Sequence, residues 1–269
     1  MIYRQSMIDK AALILLLCLI NDIAFSQADT NKKIDREYNS QFQISLMPML
    51  YQNLKVEAEK GTQYLKSNPT LSGNFSIAYN QHIRNGFYIN LGAGIGVVPF
   101  NINYDLESKP SLFLENQVEV VRLSNKFNFY SQWVYNIPLS VQKSFYHKKR
   151  LLNVGIGIDY KIINDYSFTG VEGAQYVQDL SSPYNDVDLF YIDIPYSGTE
   201  NIFSLFLQMG YKLKVKNKNT VDFQLIMDYV PKNISKGRYE FYQLIEEHEG
   251  FIEQRISNIG IKISYCIGT

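Results

Sequence analysis

One stretch, residues 150–164, alternates between apolar and polar side chains along its whole length. From Leu152 to Ile162, every second position is Leu, Val, Ile or Tyr, and the positions between are Asn, Gly, Asp or Lys. A period of two places the two sets on opposite faces of a β-strand. One face of this strand is wholly apolar and the other is small and polar, so the strand belongs to a sheet with two different environments.

Seven further segments alternate in the same way, at residues 41–51, 71–83, 87–97, 127–145, 202–216, 221–229 and 258–267. Asn85-Gly86 joins the second and third predicted strands and is a strong hairpin signal, because both residues tolerate positive φ. Pro48 interrupts the first strand and predicts a bulge or kink. Connections after the second, fourth and sixth strands are short, whereas the other internal connections run to roughly twenty residues or more, an alternation typical of membrane barrels.

These features predict an all-β fold, an eight-stranded antiparallel up-and-down transmembrane β-barrel over residues 41–269. A soluble lipocalin-like barrel has the same period with its apolar face inward. The polar faces decide between them, because they carry mainly Gly, Asn, Ser and Gln, whereas a water-facing sheet carries many charges. The apolar faces of the third, fifth, sixth and seventh strands carry no charge, as contact with lipid requires.

The N-terminus has the pattern of a secretory signal peptide. Arg4 and Lys10 precede a short apolar run at residues 11–20, which is too short for a membrane-spanning helix. Cleavage after residue 26 or after residue 28 fits the small-residue rule, and an N-terminal anchor is the alternative. Residues 27–40 are polar and predict a flexible periplasmic leader. Cys18 would leave with the signal peptide, so the mature chain would retain Cys266 alone.

The composition argues against several classes of function. Lysine plus arginine equals aspartate plus glutamate at 26 each, so no global field attracts nucleic acid. The glycine series Gly92, Gly94 and Gly96 lies within a predicted strand with no helix after it, which is wrong for a phosphate-binding loop. The sequence therefore predicts no cofactor, no bound metal and no nucleic acid.

The export signal, the eight alternating strands, the Gly-x-Gly strand centres and the segment NIPLSVQKSF at residues 136–145 resemble small outer-membrane β-barrel proteins of the OmpA/OmpX-like, porin-like class. The resemblance implies a place in the outer membrane, contact with the lipid bilayer and lipopolysaccharide, and insertion by the barrel-assembly machinery. Such proteins usually end in an aromatic residue that the assembly machinery recognises. This chain ends Ile267-Gly268-Thr269, so Tyr265 would have to be the residue that is recognised.

A set of charged residues falls on the polar, interior faces of the predicted strands. Lys212 and Asp222 lie on hairpin neighbours and are expected roughly opposite each other. The set predicts either a hydrogen-bonded plug or a polar path for small solutes, and eight strands favour the plug. The predicted interior network comprises Asp159, Lys161, Lys212, Asp222, Asp228 and Lys262, with Lys214 as a further interior charge.

Two loop features are weaker candidates for function. His248 lies in an acidic run and is the one histidine placed to act as a base, but no serine nucleophile accompanies it, and a solvated loop histidine is the simpler expectation. The loop at residues 164–200 is rich in carboxylates and tyrosine and has no lysine or arginine. It predicts either a site for an extracellular partner or a cation, or a solvated loop.

The sequence as a whole favours a non-enzymatic outer-membrane barrel with a surface-exposed structural or binding role through four long extracellular loops. A narrow pore for small solutes is the first alternative. A barrel enzyme acting on lipid A or peptides and a soluble lipocalin-like carrier are the others.

Overall fold

The computed structural model describes residues 40–83, 85–106, 123–147, 150–164, 168–170, 190–194, 200–216, 219–241 and 246–268. The predicted signal peptide and nearly all of the predicted leader lie outside these residues. The described part of the chain is all-β. Its strands are β1 Gln41–Tyr51, β2 Lys55–Lys60, β3 Leu65–Lys66, β4 Thr70–His82, β5 Phe87–Leu106, β6 Leu123–His147, β7 Arg150–Ile163, β8 Phe168–Gly170, β9 Phe190–Ile194, β10 Glu200–Lys216, β11 Asn219–Tyr229, β12 Ser235–Phe241, β13 His248–Gln254 and β14 Asn258–Gly268.

Eight of these strands close into a barrel. Going round it, the order is β1, β4, β5, β6, β7, β10, β11 and β14, and β14 pairs with β1 to complete the ring. Every neighbouring pair is antiparallel. The eight barrel strands are those predicted from the alternation, so the predicted fold is confirmed.

The two ends of the barrel differ in their connections. The β4–β5, β6–β7 and β10–β11 connections are short and lie at the same end as residue 40 and Gly268. We call this end the short-turn rim and the opposite end the long-loop rim. Asn85 and Gly86 have φ of 52° and 75°, so the predicted turn uses the left-handed conformations that its residues tolerate.

Pro48 does not produce the expected bulge. The β1–β14 register is the same on both sides of it, with Leu46 opposite Ile263 and Met49 opposite Gly260. The ladder to β14 skips Met47 and Pro48, while pairing with β4 continues through both. Because proline has no N–H to donate, the interruption falls on one side of the strand and the register survives.

The outer surface of the barrel is apolar. Aliphatic and aromatic side chains stand exposed on every barrel strand, for example Leu46 at 61%, Ile156 at 59% and Leu205 at 56%. The apolar rows therefore face outward, which rules out the lipocalin-like alternative. The residues between them face the lumen and are mostly small or polar.

Exposed aromatic residues form two girdles on this surface. One girdle lies towards the short-turn rim and the other towards the long-loop rim. On β10, Phe203 and Tyr211 belong to opposite girdles and are eight residues apart, about 26 Å along a strand. The apolar band of a membrane barrel is about 25 Å tall and is flanked by such girdles. Their members are Phe42, Tyr79, Phe87, Tyr211 and Tyr265 at the short-turn side and Trp133, Tyr135, Phe203 and Tyr229 at the long-loop side.

The long loops build a second sheet, which we call the loop sheet, beyond the long-loop rim. Its strand order is β2-β13-β12-β9-β8. One face is buried and includes Val56, Ile192, Tyr239 and Ile252. The other face is charged and exposed to solvent. Within the described residues, no helix has the length and apolarity needed to cross a membrane.

Candidate functional site

The lumen of the barrel is packed with side chains. Glycines on β5 and β7 give their larger neighbours room: a Cβ added at Gly157 would lie 2.4 Å from the ring of Phe206, and one at Gly94 would lie 2.6 Å from Asn136 Oδ1. Phe206 itself is buried inside the lumen. The glycine series that resembles a phosphate loop in sequence therefore serves interior packing.

Three of the predicted interior residues form an ion cluster, which we call the upper charge group. Lys161 on β7 pairs with Asp159 on the same strand and with Asp228 on β11, the second pair at 2.9 Å. All three side chains are at least nine-tenths buried. Asn258 Nδ2 donates to Asp228 Oδ2 at 3.2 Å. One ammonium thus serves two carboxylates, and the group carries an excess of one negative charge.

The other three predicted residues form a looser set, the lower charge group, nearer the short-turn rim. Lys212 lies directly opposite Asp222 in the ladder, as expected. The two side chains nevertheless form no ion pair: Lys212 Nζ donates to Gln41 Oε1 at 3.2 Å, while Asp222 accepts from Asn153 Nδ2 at 3.0 and 3.1 Å. Lys262 is 7% exposed. With two lysines and one aspartate, this group carries an excess of one positive charge.

Amide side chains on nearby barrel strands hydrogen-bond to one another in the lumen. Asn80 and Asn90 both donate to Gln43 Oε1, at 3.3 and 3.0 Å. Asn74 donates to Asn136 Oδ1 at 2.9 Å, across β5. Buried polar groups are stable when they are hydrogen-bonded to one another, so this network fixes the interior as well as filling it.

An apolar cluster, the mouth cluster, fills the lumen at the long-loop rim, and sequence reasoning missed it. Its members come from five barrel strands and from the chain just beyond them. The sequence signal was a pair of consecutive apolar residues at a strand end, such as Val97-Val98, Ile162-Ile163 or Tyr229-Val230. In each pair, the second residue lies on the same face of the strand as the polar residues. The cluster comprises Met49, Tyr51, Val98, Val134, Ile163, Ile202, Val230, Ile234 and Ile256.

The charged face of the loop sheet carries a shallow pocket of about 550 Å³. Its lining residues are Asp193, Lys236, Gly237, Arg238, Phe251 and Glu253. The Arg238 guanidinium lies over the Phe251 ring, 5.1 Å from its centroid. Lys236 Nζ lies 3.0 Å from Glu253 and holds the pKa of that carboxyl below its usual value, mainly through their hydrogen bond.

His248 is not the solvated loop residue that was expected; that expectation is wrong. It begins β13, is 3% exposed and contacts the ring of Tyr64. Its Nδ1 accepts a hydrogen bond from the backbone N–H of Thr62 at 2.9 Å. The difference arises because the loops fold into a sheet and bury one face. Nδ1 is thereby occupied in holding the chain at residues 61–64.

Most of the loop at residues 164–200, predicted to meet a partner or a cation, lies outside the described residues. The parts that are described, Phe168–Gly170 and Phe190–Ile194, are strands of the loop sheet. In the described part of the chain, no three His, Cys, Asp or Glu side chains are grouped as metal ligands.

Comparisons with known proteins give only distant matches. No protein-family model matches the sequence, and no curated protein matches it. Among solved structures, the chain is similar to the outer membrane protein OprG from Pseudomonas aeruginosa, at 12% identity, TM-score 0.45, and coverage of 87% of this chain and 98% of that one. It is also similar to a major outer membrane protein from Thermus thermophilus, at 10% identity, TM-score 0.39, and coverage of 86% and 99%.

The assignment of this class rests on the geometry of the barrel. A closed barrel satisfies its backbone hydrogen bonds internally, which a strand structure must do to cross a bilayer. This one adds an apolar outer belt, two aromatic girdles, short turns at one rim and long loops at the other, the features of outer-membrane barrels. The resemblance to OmpA/OmpX-like barrels therefore holds for the fold. The chain is an eight-stranded β-barrel of the outer membrane.

Proposed function

We propose that this protein is a non-enzymatic outer-membrane barrel that holds the loop sheet outside the cell, where the sheet has a structural or binding role. The barrel sits among bilayer lipids and lipopolysaccharide, and the barrel-assembly machinery inserts it. Long loops of membrane barrels are extracellular, so the loop sheet is the part of the molecule that a partner meets. Its shallow pocket offers Arg238 and Asp193 on neighbouring strands.

The mouth cluster is the observation that carries this proposal. An open pore needs a continuous polar path, whereas here nine apolar side chains meet across the lumen at the long-loop rim. Beneath them, the upper charge group occupies the lumen and joins β7 to β11 over the inner side of β10. These contacts favour a plug over the alternative of a narrow pore for small solutes.

The enzyme alternative loses its one candidate base. His248 Nδ1 accepts from the backbone of Thr62, and no serine of the described chain hydrogen-bonds to the imidazole. The adjacent Glu247 and Glu249 pair with Lys60 instead. A general base must reach both its substrate and the group that orients it, and this histidine is placed as a structural acceptor.

Conductance in planar bilayers tests the proposal. The folded protein, verified by its heat-modifiable gel mobility, is expected to give no steady channel current. The double variant Val134→Ala with Ile163→Ala thins the mouth cluster and is expected to leak. The matched control, Val141→Ala with Ile158→Ala, removes the same atoms from the lipid-facing surface and is expected to stay closed. A steady current from the unaltered protein would establish the pore and end the proposal.

A further inference from the structure

The lower charge group contains a buried lysine, Lys262, that has no close ion-pair partner among the described residues. Lys262 is 7% exposed, and its ammonium forms neither an ion pair nor a hydrogen bond with a described residue. Lys212 is 4% exposed and has one hydrogen-bond acceptor, Gln41 Oε1. Charges taken out of water are costly unless they are paired. This end of the lumen therefore holds more positive than negative charge, although the Lys212 ammonium also lies over the Tyr88 ring, 5.2 Å from its centroid.

Asp222 attracts both lysines but forms a close ion pair with neither. Its two carboxylate oxygens accept hydrogen bonds from Asn153 and Gln224 at 3.0–3.1 Å. It is also a single carboxylate beside two ammonium groups. The lower charge group keeps one uncompensated positive charge even when Asp222 is fully ionised.

The upper charge group forms no ion pair with these lysines either, although Asp159 also attracts Lys262. Its two carboxylates share Lys161, which pairs with both. Asp228 lies six residues from Asp222 on β11, about 20 Å along the strand. No carboxylate of that group forms an ion pair with Lys262 or Lys212.

A neutral donor without a partner lies in the same half of the lumen. Gln43 faces the lumen opposite Cys266 and is fully buried. Its Oε1 accepts from Asn80 and Asn90, which identifies Nε2 as the free end, and Nε2 has no hydrogen-bond partner. Two ammonium groups and a free amide N–H are all donors, and donors of this kind bind anions.

We propose that the lower half of the lumen is a binding site for a small anion, held by the ammonium groups of Lys262 and Lys212 with the amide of Gln43. The anion has the size and charge of chloride, inorganic phosphate or a short carboxylate. It enters from the short-turn rim, because the mouth cluster closes the other end. The site does not depend on what the loop sheet binds.

Thermal unfolding of the full-length barrel in detergent micelles tests the site. At constant ionic strength, replacing sodium gluconate with sodium chloride is expected to raise the unfolding midpoint by about 2–4 °C. Parallel titrations with sodium phosphate and sodium acetate identify which small anion fits best. Gluconate is too bulky for the lumen and reports the effect of salt alone.

Two variants separate the lumen site from a general salt effect. Lys262→Met removes the ammonium and keeps most of the side chain, so the chloride-dependent rise is expected to disappear. Lys214, which the sequence predicted to be an interior charge, is exposed at the end of β10 near the same rim, so that prediction is wrong. Lys214→Met is therefore expected to keep the rise. An equal chloride response in the unaltered protein and Lys262→Met would overturn the proposal.

A crystallographic measurement keeps the proposal testable should Lys262→Met fail to fold. Crystals of the unaltered barrel soaked in bromide are expected to show an anomalous peak beside Lys262 Nζ. A lumen without such a peak, together with an unfolding midpoint that is the same in chloride and gluconate, would overturn the site and show that Lys262 is buried as a neutral amine.

Discussion

Lys161 Nζ on β7 lies 2.9 Å from Asp228 Oδ2 on β11, although β10 stands between these two strands in the barrel wall. The contact therefore spans β10 on the lumen side of the barrel wall. The same ammonium pairs with Asp159 on its own strand. Both ends of the pair are at least nine-tenths buried, so water does not screen it.

Replacing Lys161 with methionine is expected to destabilise the barrel by about 3–5 kcal/mol, because Asp159 and Asp228 would remain buried without their cation. The measurement is the free energy of unfolding in urea, made in detergent micelles. The control Lys214→Met, at an exposed site, is expected to change it by less than about 0.5 kcal/mol. Adding Asp159→Asn and Asp228→Asn to Lys161→Met should recover part of the loss. Equal stabilities of Lys161→Met and the control would show that the cluster carries no net energy.

The orientation of the barrel predicts a labelling pattern. Lys236→Cys lies on the exposed face of the loop sheet and is expected to react with a membrane-impermeant maleimide in intact cells. Lys214→Cys lies near the short-turn rim and is expected to react only after the outer membrane is permeabilised. Cys266 is fully buried and Cys18 lies in the predicted signal peptide, so the unaltered protein is expected to stay unlabelled and serves as the control. The reverse pattern would mean that the long loops face the periplasm.

Gly210 is expected to tolerate no side chain. A Cβ at this position would lie 1.9 Å from the backbone oxygen of Phe223 on the neighbouring strand. Gly210→Ala must therefore push β10 from β11, at a cost of about 1–3 kcal/mol in unfolding free energy. In Gly73→Ala the nearest atom is 3.8 Å away, and little change is expected. Similar urea midpoints for the two variants would contradict the close approach of β10 and β11.

His248 is expected to hold the chain at residues 61–64 against the loop sheet. In His248→Leu the Thr62 N–H loses its acceptor, which costs about 1–3 kcal/mol and speeds local opening roughly tenfold or more. Limited trypsin digestion, read at Lys60 and Lys66, measures that opening. Glu246→Ala, at an exposed neighbouring position, is the control. An unchanged cleavage rate in His248→Leu would show that other contacts hold this segment.

The Lys236–Glu253 ion pair is expected to make the loop sheet weakly pH-dependent. Because the pKa of Glu253 lies below its usual value of 4.5, the pair stabilises the sheet at neutral pH and is lost as the pH falls through the lowered pKa. Glu253→Gln should therefore increase amide hydrogen exchange in β12 and β13 at pH 7, by an energy below about 1 kcal/mol for an exposed pair. At a pH well below the lowered pKa of Glu253, the variant and the unaltered protein should exchange alike. A difference that persists there would point to lost packing instead of lost charge.

The barrel strands were predictable because each of them separates two environments. Lipid on one side and a filled lumen on the other impose a strict period of two, which β7 and β10 show along most of their length. The loop sheet follows no such rule. The buried face of β13 consists of His248, Gly250, Ile252 and Gln254, of which only Ile252 is a large apolar residue. The sequence of β13 therefore lacks the alternation of apolar and polar residues from which a half-buried strand is predicted.

The alternation along each strand predicted which residues face the interior, but it did not predict which residues they contact. Alternation places Lys161, Asp222 and Lys262 inside, yet the sequence shows them only as a nearly balanced set. Their separation into an upper group with excess negative charge and a lower group with excess positive charge depends on the register between strands far apart in the chain. The pairing of Lys212 with Gln41, 171 positions away, is an example that spacing alone does not reveal.

The seam between β14 and β1 closes the barrel, so the barrel is complete only when these two strands have paired. Ser45 and Ser264, which meet across it at 2.9 Å, are 219 positions apart, so this pairing cannot form until nearly the whole chain has been made. Until then the incomplete sheet has two unpaired edge strands and encloses no lumen. A chain that ended before β14 would leave both edge strands open to pairing with other molecules. The complete chain must therefore stay unfolded until it reaches the membrane, where the barrel can close.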